Sequence, residues 1–303
     1  MRSKYLFFYL SFIAFHFGYT QTVKAQSKFN SDSLLHQVKT LSSDSFEGRR
    51  TGTPGGVKAQ AYIINNFKNL HVQPLIQDYK QAFVFKSQGK EFQGTNILGV
   101  ITGKTKPEEY IVISAHHDHE GIKNGKIYNG ADDDASGVSA LFAFAEYFEK
   151  NPPQHSVILA AFDAEELGLA GSKYFVAHSI VPLEHIKLNL NMDMISRNDQ
   201  KQLYVTGTIF NQKLKNVISN FKNTEDISIL MGHDGRDGLQ NWTYASDHGS
   251  FHARKIPFLY FGVEDHEDYH QPTDDFENIH PKFYISAVQT IISIFDILDG
   301  LNL

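Results

Sequence analysis

Five short segments, spread over about half of the chain, carry residues suited to divalent metal ions. They are Ala115-His116-His117-Asp118-His119, the Gly130–Gly137 stretch with its triplet Asp132-Asp133-Asp134, Ala164-Glu165-Glu166, Asn191-Met192-Asp193-Met194, and Tyr269-His270. Imidazoles and carboxylates in a chain without cysteine suit hard-to-borderline divalent ions such as zinc. The chemistry such a set supports is hydrolysis by metal-activated water, with a spare glutamate beside a ligand as general base.

Each motif also has an ordinary structural use. A His-Asp pair such as His116-x-Asp118 is common on surfaces, although a carboxylate near the distal ring nitrogen supports a zinc histidine. An acidic triplet before a helix caps it and offsets its dipole, yet three carboxylates leave room to bridge metals. Adjacent glutamates usually face water, but Glu165-Glu166 follows the buried run Val157–Phe162 and is placed to line a cleft. Asp193 ends an apolar strand, where its charge needs compensation by a metal or a salt bridge.

The elements that must position these residues alternate between helix and strand. Helices are expected at Ser31–Leu41, at Val57–Leu70 with Ala61, Ile64 and Leu70 on one side, at Ala135–Lys150, Leu169–His178, Asp247–Ala253 and Pro281–Leu298. Strands are expected near Phe83–Phe85, Thr95–Thr102, Tyr110–Ala115, Ser156–Phe162, Ile186–Met192 and Pro257–Gly262, with strand, helix and strand inside Leu203–Met231. This order predicts a three-layer α/β/α fold: a central mixed, mostly parallel sheet with helices on both faces. His116, Glu165, Asp193 and His270 all follow strand ends, where open α/β sheets form their sites.

The 303 residues, 41% hydrophobic and 20% charged, suffice for one large core. Arg2 and Lys4 precede an apolar run from Tyr5 to Tyr19, and Val23-Lys24-Ala25 offers small residues for cleavage, so residues 1–25 read as a secretory signal peptide. Residues 26–303 then form a single domain exported to a bacterial periplasm or exterior. Loss of Arg2, Lys4 and Lys24 leaves 34 acids facing 25 bases. That balance, without basic clusters, argues against nucleic acid and, after signal cleavage, against membranes as partners.

From about Leu41 to the C-terminus the motifs, with the Gly48–Gly55 loop, resemble zinc-dependent aminopeptidase-type metallopeptidases with two co-catalytic zinc ions. That superfamily also holds glutamate carboxypeptidase, transferrin receptor and glutaminyl cyclases. The resemblance implies two Zn2+ ions, one held by His116, Asp193 and Asp133, the other by Glu166, His270 and Asp133. It implies Glu165 as general base, Asp118 as partner of His116 and a cis bond between Asp133 and Asp134. Asp274 is placed to orient His270, and Tyr269 either stabilises an oxyanion or packs beside the pocket. The implied substrates are peptides with a free N-terminus. A carboxypeptidase would need a cation for the substrate carboxylate, from Arg49, Arg50, Arg197, Arg236 or Arg254. A glutaminyl cyclase would use one zinc, and a binding domain would have lost ligands. His36, His71, His155, His178, His185 and His280 read as surface residues; His117, His119, His233 and His266 fall near the rim.

Overall fold

The apolar runs become the centre of a nine-stranded mixed sheet. The computed structural model describes residues 27–224 and 226–303, so the expected signal peptide lies outside the described residues. In chain order the helices are α1 (Ser31–Leu41), α2 (Pro54–Asn69), α3 (Gly137–Lys150), α4 (Ala170–Ala177), α5 (Gln212–Asn220), α6 (His248–Ala253) and α7 (Pro281–Asp299). The strands are β1 (Gln73–Pro74), β2 (Lys80–Ser87), β3 (Lys90–Ile101), β4 (Lys106–His116), β5 (Gly121–Lys123), β6 (Lys126–Tyr128), β7 (His155–Phe162), β8 (Ile186–Met192), β9 (Gln202–Thr206), β10 (Ser228–Met231) and β11 (Phe258–Gly262).

The sheet order is β1-β3-β7-β4-β8-β11-β9-β10, with β2 on β3. The inner four, β7, β4, β8 and β11, run parallel. The pairs β3–β7 and β9–β11 that flank them are antiparallel. Burial on both faces explains the unbroken apolar sequence of the inner strands. Ile111, Ile113 and Ala115 of β4 pack in the core shared with α1, α2, α3, α5 and α7. The alternate residue Val112 joins Ile158, Phe162, Phe175 of α4 and Phe251 of α6 on the other face. Helices therefore cover both faces, as expected.

Two local readings change. The helix α2 starts three residues earlier, at Pro54, and its buried stripe is Ala59, Ile63, Ile64 and Phe67; Ala61, two residues from both Ala59 and Ile63, points to the opposite side and faces solvent. A small hairpin, β5–β6, follows the His116 segment and turns at Asn124-Gly125, both with positive φ. Among the described residues α7 alone is long and apolar enough to cross a membrane, and its Tyr284, Val288, Ile291 and Phe295 are buried in the core.

Because the inner strands are parallel, their carboxyl ends share one edge. His116 ends β4, Glu165 and Glu166 follow β7, Asp193 follows β8, and the loop after β11 carries His270. The fold thus brings together residues up to 154 positions apart in sequence, from His116 to His270.

Candidate metal centre

At that edge, His116 Nε2 lies 3.0 Å from Asp133 Oδ1 and 3.4 Å from Asp193 Oδ1. His270 Nε2 lies 3.2 Å from Asp133 Oδ2 and 3.2 Å from Glu166 Oε2. The two oxygens of one carboxylate therefore face two separate donor sets. Unlike the sequence, the geometry distinguishes the three aspartates. Asp132 accepts from the Ser196 amide and hydroxyl, both at 2.7 Å, and lies 3.0 Å from His266 Nε2. Asp134 accepts from the amides of His116 at 3.1 Å and Gly137 at 2.8 Å. Only Asp133 of the triplet is left facing the His116 and His270 imidazoles, and the Asp133–Asp134 peptide is cis.

The electrostatics reflect crowding of negative charge. Burial opposes charge on His116, but Asp193, Asp118 and Asp133 raise its pKa well above the ordinary value. His270 is raised to about 10 against burial by Asp133 and Glu166. Burial would raise Glu166, yet His119 and His270 hold it at about 2. Asp133, despite burial, is held well below the carboxylate range by His119, His116 and His270. These imidazoles meet buried carboxylates as cations would. Glu166 Oε1 is buried without a hydrogen-bond partner, an opening that a bound cation would fill. The donor set, imidazole and carboxylate without thiol, fits zinc.

Asp118 stays beside His116 but has a second task, and Asp274 has a different one from that expected. Asp118 lies 3.7 Å from His116 Nδ1 through its carboxylate, but the ring donates to the Asp118 main-chain carbonyl at 3.0 Å. The Asp118 carboxylate accepts instead from the amides of Glu165 at 3.0 Å and Glu166 at 3.3 Å, so it orients the glutamate turn. Asp274 makes no hydrogen bond to His270; it accepts from the amides of Asp132 at 2.9 Å and Asp133 at 3.1 Å. A peptide amide was the nearer donor in both cases, and spacing along the chain does not reveal that. Tyr269 stacks on His270 with ring centroids 4.0 Å apart, and burial together with Asp133, Asp193 and Glu166 pushes its hydroxyl pKa up. It therefore stays a proton donor.

Sequence reasoning did not recognise three buried groups, His119, His155 and Arg49, as buried, and gave Asp247 only a supporting place in the cleft wall. His119, read as a rim residue, is fully buried beside Glu166 and Asp133. Asp247 is fully buried and pushed up to about 7, chiefly by burial, and its charge acts on Glu165. His155, read as a surface residue, is buried with Nδ1 2.8 Å from Asp299. Arg49 is buried and donates to the carbonyls of Leu41, His117, Asn129, Gly130 and Asp133. It ties the strand-end loop to the bridging loop. The Gly48–Gly55 resemblance marked this segment as special without saying why.

Arg49→Met should leave several of those carbonyls dry and unpaired. At about 1–3 kcal/mol per orphaned group, denaturant unfolding should show a loss above roughly 3 kcal/mol. A change under about 1 kcal/mol would mean that water replaces the guanidinium freely.

Fold and site define an α/β protein with a candidate metal site at the carboxyl edge of parallel strands. The chain belongs to peptidase family M28, whose sequence profile matches residues 96–295. Aminopeptidase YwaD of Bacillus subtilis is 31% identical over 262 residues, 82% of this chain and 51% of that one. The alkaline phosphatase isozyme conversion protein of Escherichia coli is 24% identical over 168 residues, 51% of this chain and 49% of that one. The chain thus spans about half the length of both relatives. Among solved structures, the zinc aminopeptidase BSAP of Bacillus subtilis superposes with TM-score 0.71 at 17% identity, over 89% of this chain and 96% of that one. The glutaminyl cyclase of Porphyromonas gingivalis gives 0.72 at 17% identity, over 90% and 99%. At such identities these two share the fold.

Proposed function

We propose that this chain is an exported aminopeptidase that holds two zinc ions and removes N-terminal residues from peptides, with Glu165 as general base. The observation that carries the reading is the placement of Asp133, with Oδ1 toward His116 and Oδ2 toward His270. His116, Asp133 and Asp193 would hold one ion, and Asp133, Glu166 and His270 the other. When bound, zinc supplies Lewis-acid polarisation of the scissile carbonyl and acidifies water. Glu165 takes the proton of the attacking water and returns it to the leaving amine. Tyr269 donates toward the developing oxyanion.

The charge around the site favours a substrate ammonium over a carboxylate. Arg49 is engaged with main-chain carbonyls, Arg50 with Glu120, and Arg197 with Glu267 and Asp268. Arg236 and Arg254 are solvent-exposed. The similarity to aminopeptidase YwaD points the same way. The proposed mature chain is the single domain 26–303.

One preparation tests the whole reading. Protein recovered from the periplasm or medium should begin at Gln26, carry about two zinc equivalents, and cleave aminoacyl chromogenic substrates while sparing their N-acetylated forms. A chelator should abolish turnover and added zinc restore it. Equal cleavage of blocked substrates would refute the exopeptidase mode, and a metal-free active enzyme would refute the hydrolytic reading.

A further inference from the structure

His119 lies at the candidate metal centre without an assigned task. It sits three positions after His116, on the loop between β4 and β5, and is fully buried. Its Nδ1 lies 2.8 Å from Glu166 Oε1 and 3.6 Å from Asp133 Oδ2. The first separation is a hydrogen-bond distance. Yet neither Nδ1 nor Oε1 has a partner of acceptable hydrogen-bond geometry, so the ring nitrogen does not aim at the oxygen. Two buried, unpartnered atoms side by side are costly unless both aim at a third body.

The surrounding spacings identify that body. His119, Asp133 and Glu166 present donor atoms within 4.8 Å of one another. His270 Nε2 lies 3.2 Å from both Asp133 and Glu166, and its ring stands at 61° to that of His119. Zinc–nitrogen and zinc–oxygen bonds of about 2.0–2.1 Å give tetrahedral ligand–ligand edges of about 3.3 Å. The edges here, 2.8–3.6 Å, bracket that value. Gly130 makes room for the ring: a Cβ there would stand 2.6 Å from His119 Cγ and Cδ2, at a φ of +58°.

We propose that His119 is a further ligand, through Nδ1, of the zinc ion on the His270 side. That ion then has four protein side chains, His119, Asp133, Glu166 and His270. The ion on the other side has three, His116, Asp133 and Asp193. A four-ligand zinc site is closed and retentive, whereas a three-ligand site keeps a position for water. The two sites thus differ in purpose: the His270 side loads first and stays loaded, and the reacting water belongs to the His116 side, which keeps the open position.

This inference rests on the two-zinc reading, and X-ray absorption at the zinc edge separates the two. The full chain loaded with one zinc equivalent should show two imidazoles on that ion, and with two equivalents three imidazoles shared between both. Chelator competition should resolve two dissociation constants. His119→Gln and His119→Phe should weaken the tighter one more than about 100-fold, beyond the loss expected for an outer partner. A single imidazole on the first ion, with two ions bound, overturns the role of His119 and leaves the two-zinc reading intact. Saturation at one equivalent overturns the two-zinc reading instead.

Discussion

Glu165→Gln should keep both zinc ions and lose about 10²–10⁴-fold in kcat, with KM nearly unchanged. The substitution preserves shape and removes only the capacity to accept a proton. The surroundings of Glu165 suit that capacity. Burial, and with it the charges of Asp193, Glu166 and Asp247, push its pKa well above the ordinary carboxylate range, with His116 opposing them. Its peptide amide is held by Asp118 at 3.0 Å, and its carbonyl accepts from Gly168 and Leu169, each at 2.8 Å. The turn is thereby fixed on both sides and should survive the change. Glu166, next in sequence, is driven the other way, to about 2, by His119 and His270 against burial and Asp133. On the proposed reading one glutamate accepts a proton and the other remains charged. Glu166→Gln should therefore lose zinc, which Glu165→Gln should not. Elemental analysis beside steady-state kinetics checks both. A Glu165→Gln enzyme within about threefold of wild-type kcat would remove it as base.

The alternation of buried runs with amphipathic stretches was enough to place the inner strands, since burial on both faces leaves an unbroken apolar signal in β4 and β7. Parallel direction followed from the intervening helices, and with it the gathering of His116, Glu165, Asp193 and His270 on one edge. The hairpin after His116 had a signal as well, the Lys123-Asn124-Gly125-Lys126 turn, which outweighs the weak propensity of its three-residue strands. What spacing did not convey is which donor each buried carboxylate meets. Asp118 and Asp274 bond to amides of a remote turn and of the bridging loop, and those contacts exist only after the chain has closed. Arg49 is similar: its five carbonyl partners come from Leu41, His117, Asn129, Gly130 and Asp133, and local sequence marks none of them. Histidines were hardest to sort. His119 and His155 are both fully buried, one among carboxylates of the centre and one on Asp299, yet their flanking sequences are as polar as those of exposed His36 and His71.

Asp133→Asn should have the broadest effect of any single substitution at the centre. The acid touches both donor sets, through Oδ1 to His116 and through Oδ2 to His270 and, at 3.6 Å, His119. An amide replaces one anionic oxygen with a donor and removes the charge that, on the proposed reading, would hold two cations close together. Loss of an outer partner alone lowers metal affinity about 10–100-fold. Loss of the shared carboxylate should exceed that at both positions, so zinc content should fall from about two toward zero after gel filtration and turnover should vanish with it. The metal-free state supplies the control. Asp134 and Asp132 keep their bonds to His116, Gly137 and Ser196 in the variant, and Arg49 still holds the Asp133 carbonyl at 3.3 Å. Circular dichroism of the zinc-free variant should therefore match that of zinc-free wild type. If the variant instead lost one ion and kept the other at wild-type affinity, Asp133 would serve a single site. The pairing of the two donor sets would then have to come from another group.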